Sequence, residues 1–265
     1  MSKVEFYANK IHRKYIGAHI HVVTDLLETV VENLEIEVVR YLVDEDGESK
    51  VYGGIFTHTD PQIKPKIFLN TKYNQRTQNF TLAHELSHYL LQKEMSATYE
   101  IDLTDLKTRE RVGDFFAAAL LLDSEAVANY YEFFKKAGKN LDEIIFRLAD
   151  IFKVPYVSVI RRLIELEIIP ASKEAELLKQ DEESLADKRN YLLGPSILDT
   201  SPTRSDFSQY INLVEQKVKE RKLSYLGAAK KLNTLDSEKA EIYFAKNEEV
   251  QKKLLEAMVD EEADD

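Results

Sequence analysis

Phe80-Thr81-Leu82-Ala83-His84-Glu85-Leu86-Ser87-His88-Tyr89-Leu90-Leu91 carries the pattern H-E-x-x-H inside an otherwise apolar run. On a helix, residues four apart lie one above the other, so His84 and His88 turn their imidazoles toward a single point. That point suits a zinc ion. Glu85 follows the first histidine, which places its carboxylate beside the metal rather than on it, where it can take a proton from water. The spacing is that of a metallopeptidase base with its two histidine ligands. A chance match is the competing reading, on the order of one chain in a hundred at this histidine content. The surroundings argue against it. Phe80, Leu82, Ala83, Leu86, Leu90 and Leu91 make the helix apolar on most of its circumference and hence substantially buried. Buried polar side chains need partners, and one metal ion meets that need for two histidines and a glutamate together.

Composition narrows the chemistry further. A chain of 265 residues with 44% hydrophobic content can bury a sizeable core and form two or three compact units. It has no cysteine, which excludes disulfides and thiolate ligands and leaves zinc to histidine and carboxylate, as in catalytic rather than structural sites. Met1-Ser2-Lys3-Val4-Glu5 lacks the apolar segment of a signal peptide, and the longest apolar run, Phe115 to Leu122, is too short to span a bilayer. We therefore expect a cytoplasmic protein without a membrane partner. A net charge of -11 opposes non-specific binding to nucleic acid. Part of the excess lies in Asp260-Glu261-Glu262-Ala263-Asp264-Asp265, which reads as an unstructured acidic tail.

Upstream of the H-E-x-x-H helix, Val4, Tyr7, Ala8, Ile11 and Tyr15 recur at helical spacing, and a second helix is expected from about Thr24 to Asn33. His19 and His21, two apart between them, read as surface or packing residues. Residues 36–43 are rich in β-branched side chains and Asp44-Glu45-Asp46-Gly47 is a turn signal, so a hairpin with residues 50–56 is expected. Lys66 to Asn70 makes a third short strand. The expected small antiparallel sheet offers an edge to which an extended peptide could add by main-chain hydrogen bonds.

Downstream, Lys107 to Leu122 becomes apolar all round in its second half and reads as a buried helix packed on the first, with Glu110 and Asp114 one turn apart on a shared face. Zinc held by two histidines needs a third protein ligand and an open position. Glu110 is the choice, with Glu94, Glu100 and Asp102 as competitors. Asp114 can accept the outward N–H of a ligand histidine and set its tautomer. An oxyanion donor is also required, and Tyr73, Tyr99 and His58 are available for it.

Asn79-Phe80-Thr81-Leu82-Ala83-His84-Glu85-Leu86-Ser87-His88, followed by Glu110-x-x-Gly113-Asp114-x-Phe116-Ala117-Ala118-x-Leu120-Leu121, resembles the ImmA/IrrE family of metallopeptidases, strongly from about Ile67 to Asp123. In that family the two helices read F-T-x-A-H-E-x-x-H and E-x-x-A-[DN]-x-F-A-x-x-L-L. The resemblance implies a zincin-like α+β domain and a zinc-dependent endopeptidase, with His84, His88 and Glu110 as metal ligands and a repressor of the Xre type as substrate. This chain departs from the pattern at Gly113, in place of alanine, which is expected to loosen the helix, and at Asp123, in place of proline. Neither departure removes a ligand.

Beyond the site, Ser124 reads as the cap of a helix closed by Gly138. Two helices around Lys153-Val154-Pro155 have the look of a helix-turn-helix, similar to the module that follows the peptidase part in ImmA/IrrE proteins. Its positive charge is read from Lys153, Arg161 and Arg162, flanked by Glu165 and Glu167, so a structural or repressor-docking role is expected and direct DNA binding is not. Glu174 to Arg189 reads as one charged helix and Gly194 to Pro202 as a linker, before a helical unit with Ser224 as a cap. The boundaries read as a metallopeptidase domain over 1–123, a helix-turn-helix-like module over 124–170, a helix and linker over 171–204, a helical carboxy-terminal unit over 205–259 and the acidic tail over 260–265. The reading is a Zn2+ endopeptidase that relieves repression by cutting a repressor, with Glu85 as base. The rival is an antirepressor or toxin-like partner that keeps the zinc fold and sequesters its target uncut.

Overall fold

Ile67 and Leu69 alternate into the core from strand β3 (Lys66–Asn70), and β3 is the middle strand of a three-stranded sheet. Strand β1 (Glu37–Tyr41) runs parallel to it, with Glu37 opposite Lys66 and Tyr41 opposite Asn70. Strand β2 (Gly54–Thr57) runs antiparallel on the other side, with Gly54 opposite Leu69 and Thr57 opposite Lys66. The sheet is therefore mixed, and its β1–β3 pair is parallel where an antiparallel sheet was expected. The hairpin expectation fails because a turn signal dictates a reversal locally but not which strand is met next. Burial of the apolar face of β3 puts that strand between the other two. The computed structural model describes residues 3–17, 19–24, 27–42, 54–57, 64–90, 105–201, 208–233 and 236–263, so the turn signal at Asp44 to Gly47 lies outside the described residues.

The chain divides into two compact units, residues 1–204 and 205–265. In the first, helix α1 (Lys3–Tyr15) buries Val4, Tyr7, Ala8 and Ile11 on one face, as their spacing requires, and α2 (Leu27–Asn33) leads into β1. Helix α3 (Gln75–Leu90) carries H-E-x-x-H and starts where the Asn74 side chain accepts a hydrogen bond from Thr77 N at 2.9 Å. Helix α4 (Leu106–Leu121) is capped by Asp105, which accepts from Thr108 N at 2.8 Å. The stretch Phe116 to Leu122 is buried throughout, so α4 lies between α1 and α3 as a central core helix.

Helix α5 (Ser124–Lys136) begins one residue earlier than its sequence suggests: Asp123, not Ser124, is the cap, accepting from Ala126 N at 2.8 Å. A carboxylate at that place also complements the positive end of the helix dipole. Helices α6 (Leu141–Phe152) and α7 (Tyr156–Glu165) follow, joined through Lys153, a non-glycine residue in the left-handed region at φ 55°. Asn79 of α3 donates to the Lys153 carbonyl at 2.9 Å, which ties this turn to the H-E-x-x-H helix.

Arg162 is 1% exposed. Its guanidinium donates to the Leu122 carbonyl at 3.1 Å, to Glu5 at 2.7 Å and to Glu165 at 3.3 Å, so it joins α1, α4 and α7 instead of facing a ligand. With Arg162 withdrawn into the core and an acidic chain around it, the purified protein should bind no duplex DNA selectively at physiological salt. A sequence-selective, salt-sensitive mobility shift would overturn that expectation.

The charged stretch after residue 173 is two helices rather than one, α8 (Glu174–Leu177) and α9 (Glu182–Leu193), because Asp181 caps a new start by accepting from Ser184 N at 2.8 Å. The segment read as a linker is fastened to the core up to Ser201. Gln75 N donates to the Thr200 carbonyl at 3.2 Å, and the Ser201 hydroxyl reaches the carbonyls of Thr71 at 2.5 Å and Lys72 at 2.6 Å. A polar stretch with turn residues is linker-like in composition, but these bonds to the start of α3 hold it in place.

The second unit consists of α10 (Ser208–Lys219), α11 (Tyr225–Leu232) and α12 (Ser237–Ala263) around Val214, Ala228, Leu232 and Ala240. Ser224 caps α11, accepting from Gly227 N at 3.1 Å. Helix α12 continues to Ala263, into the acidic stretch read as an unstructured tail. Among the described residues, no helix is long and apolar enough to cross a membrane.

Candidate metal centre

Among the described residues, His84, His88 and Glu110 form a group whose ligand atoms all lie within 4.8 Å of one another. His84 and His88 are one turn apart on α3, their rings 4.9 Å apart and nearly perpendicular at 82°. Glu110 comes from the first turns of α4, which the Asp105 cap starts at the point that brings this carboxylate over the two rings. His84 Nε2 lies 3.2 Å from His88 Nε2 and 3.1 Å from Glu110 Oε2, and His88 Nε2 lies 3.6 Å from Glu110 Oε1. Two imidazole nitrogens and a carboxylate thus converge on one point.

Asp114, one turn beyond Glu110, meets the other nitrogen of His84, with Nδ1 to Oδ1 at 2.8 Å. A proton on Nδ1 donated to Asp114 leaves Nε2 as a lone pair turned toward Glu110 and His88. With no metal present the electrostatics favour a proton on His84, so a cation binding there would displace that proton. Burial lowers the His84 pKa, but the hydrogen bond and charge of Asp114, with Glu85 and Glu110, outweigh it and leave the group raised. Burial and then the neighbouring His84 push His88 down to about 4, so His88 is neutral and its lone pair is available. Neutral imidazoles and an ionised carboxylate are the forms that ligate a divalent metal. The donor set therefore fits such an ion, with the three ligands that a catalytic site supplies.

Glu85 is 7% exposed, its Cγ lies against the sheet at Gly54, and its charge acts on the neighbouring His84. Strand β2 passes so close that a Cβ built on Gly54 would stand 2.5 Å from Thr81 Cγ2, 3.0 Å from Glu85 Cγ and 3.1 Å from the Phe68 carbonyl. Only a residue without a side chain fits there. Burial, then the Glu85 carboxylate and the Tyr73 phenol, push the Tyr41 phenol above its ordinary value, so Tyr41 lies within electrostatic reach of Glu85.

His84, Glu85, His88, Glu110 and Asp114 are thus brought together as expected from their spacing. Of the other residues considered, Tyr73 is half-buried in the turn before α3, whereas His58, Glu94, Tyr99, Glu100 and Asp102 lie outside the described residues. His21 pairs with Asp123 at 3.3 Å and takes no part in the cluster. Gly113 continues α4 without a break, so the expected loosening is absent. Tyr41, Gly54 and Arg76 were missed in the sequence. Tyr41 and Gly54 belong to no local pattern, and Arg76 reads as an exposed charge in the first turn of a helix.

Residues 39–164 match the family model Peptidase_M78, described as the IrrE N-terminal-like domain. No curated protein matches the chain at a significant level. Among solved structures, a Mycobacterium tuberculosis transcriptional regulator is similar with 18% identity and a TM-score of 0.42, over 62% of this chain and 47% of that one. The chain thus spans about half the length of that protein.

Proposed function

Residues 39–164 belong to the Peptidase_M78 family of IrrE N-terminal-like domains, and from that premise we propose that this protein is a zinc-dependent endopeptidase that cuts a transcriptional repressor of the Xre type. The observation that carries the metallopeptidase reading is the convergence of His84, His88 and Glu110 within 4.8 Å beside a buried glutamate on the same helix. In this reading His84, His88 and Glu110 hold the metal, and Asp114 keeps the His84 ring in the tautomer that ligates. Zinc held by these residues would supply Lewis-acid chemistry, polarising a carbonyl and lowering the pKa of a water toward about 7.

Glu85 takes the water's proton at its carboxylate and passes it to the leaving amine nitrogen. Its burial against Gly54 and Thr81 holds the carboxylate on one side of the helix and keeps bulk water from competing for it. Strand β2 pairs with β3 on one edge only among the described strands and lies directly against Glu85. An extended peptide added to its other edge would run past the base. Tyr41 joins Tyr73 as a candidate donor to the developing oxyanion. The repressor as substrate is supported by the resemblance of the two motif helices, and the α6–α7 pair serves in this reading as a structural or docking element.

Glu110→Gln tests the ligand set. An amide is a weaker ligand than a carboxylate, so the native chain should hold one zinc per molecule and the variant should lose it at least tenfold more readily to a chelator. Metal analysis and chelator competition decide it. Full occupancy in the variant would move the third ligand to Glu94, Glu100 or Asp102.

A further inference from the structure

Helices α6, α7, α8 and α9 enclose a cavity of about 130 Å³, lined by no residue of the metal-centre helices α3 and α4. Buried Ile145, Phe146, Ile160 and Leu185 form its floor, and Leu177 of the four-residue α8 completes the apolar lining. Protein interiors hold few voids larger than a water molecule, and an apolar void of about 150 Å³ accepts a benzene molecule. This cavity therefore has the size that takes one branched aliphatic or phenyl group, whereas a drug-sized ligand needs about 300 Å³ or more. Its polar lining is ionic. Asp142 of α6 and Lys188 of α9 pair at 2.8 Å, both partly exposed, and Glu176 of α8 is held by Lys173 at 2.7 Å. Asp142 stands in the first turn of α6, where the helix dipole favours a carboxylate. Leu177, Gln180, Leu185 and Lys188 lie beyond residues 39–164, so the cavity forms where this chain's later helices pack on the family domain.

We propose that this cavity binds a free apolar amino acid of leucine or phenylalanine size, with its side chain on the apolar floor and its charged groups at the Asp142–Lys188 pair. The volume admits such a side chain and little more. The pair supplies one charge of each sign beside the apolar lining, from two helices packed together. A ligand with a single charge would meet one partner of like charge, whereas a zwitterion offers its carboxylate to Lys188 and its ammonium to Asp142. A partly exposed ion pair contributes little to stability, so exchanging it for two pairs with the ligand costs little. Gln180 adds an amide that can donate to the ligand carboxylate or accept from its ammonium. Burial of the side chain supplies the favourable apolar contribution. The proposal is independent of the metal reading and stands whether or not His84, His88 and Glu110 hold an ion.

The test is calorimetric titration of the full chain with L-leucine and L-phenylalanine. For each, the acid without the amino group and the amine without the carboxylate serve as single-charge analogues. The tighter of the two amino acids should bind saturably with a Kd of about 1 mM or below, and its analogues at least tenfold more weakly. Leu177→Trp fills the cavity from the short helix α8 and should abolish binding. Asp142→Asn and Lys188→Met should each weaken it at least tenfold. These two replace partly exposed side chains, so they decide the question even where Leu177→Trp lowers the melting temperature of the ligand-free chain. Absence of saturable binding by both amino acids would overturn the proposal. Native affinity in a folded Leu177→Trp chain would overturn it too, by placing the ligand elsewhere. Analogues that bind within twofold of the parent amino acid would leave the ion pair without a part and sink the assignment to a zwitterion.

Discussion

Glu85→Gln should leave zinc content unchanged and reduce peptide-bond cleavage by about a hundredfold to ten thousandfold, the usual cost of losing one general base. The amide has the size and most of the hydrogen-bonding capacity of the carboxylate, and the site around Glu85 is tight, with the Glu85 Cγ only 3.0 Å from a Cβ built on Gly54. An isosteric change therefore keeps the packing of β2 on α3. His84, His88 and Glu110 are untouched by it, and only the capacity to accept a proton is lost. The measurement is incubation of native and variant protein with a candidate repressor, with metal analysis of both. An intact repressor with the variant and a cut one with the native chain supports catalysis. Relief of repression by Glu85→Gln equal to that of the native chain would show that the protein acts by sequestering its target.

Arg76→Leu should destabilise the first unit by about 3–5 kcal/mol, as removal of one partner from a buried ion network does. For a unit of this size that corresponds to a fall in melting temperature of roughly 6–20 °C. Arg76 is 0% exposed. Its Nε donates to Asp199 at 2.7 Å, its Nη1 to the Ala149 carbonyl at 2.7 Å and its Nη2 to Asp150, while the guanidinium lies 4.6 Å from the Tyr156 ring centroid. Asp150 keeps Arg189 as a partner, but among the described residues the Asp199 side chain is left with the Tyr156 hydroxyl, at 2.9 Å. The uncompensated charge is therefore that of Asp199. Burial first, and then the hydrogen bond to Asp199, keep the Tyr156 phenol well above its ordinary value against the lowering effect of Arg76, so it stays protonated and able to donate. Arg76→Lys should not restore stability, because an ammonium cannot serve these acceptors in the planar arrangement that the guanidinium provides. A fall of less than about 2 °C for Arg76→Leu, checked by calorimetry, would mean that the network contributes little.

The network also explains how one end of the H-E-x-x-H helix is anchored. Arg76 and Asn79 stand on α3 ahead of His84, and they bind α6, the Lys153 turn and the Asp199 segment. His84 and His88 thus project from a helix fastened at its start by charge and packed closely against β2 at Gly54.

Spacing alone was enough to place His84, His88 and Glu85, because the interval of four residues and its consequence are both local to one helix. The same holds for Glu110 and Asp114, which share a face of α4 by their own interval, and for the buried run Phe116 to Leu122. The H-E-x-x-H motif, the family resemblance and the helical character of most of the chain were legible for that reason. What spacing could not convey was which elements lie across from one another. The strand order β1-β3-β2 with its parallel pair, the reach of Arg76 from α3 to residues more than 70 positions away, and the clearance at Gly54 and Gly113 all depend on contacts between segments distant in sequence. Residue type carries no mark of such a contact: an arginine in a first helical turn reads as solvated, and a glycine in a strand reads as a weak point. Only the packed structure decided that the arginine is a buried anchor and that β2 passes against the H-E-x-x-H helix at a glycine.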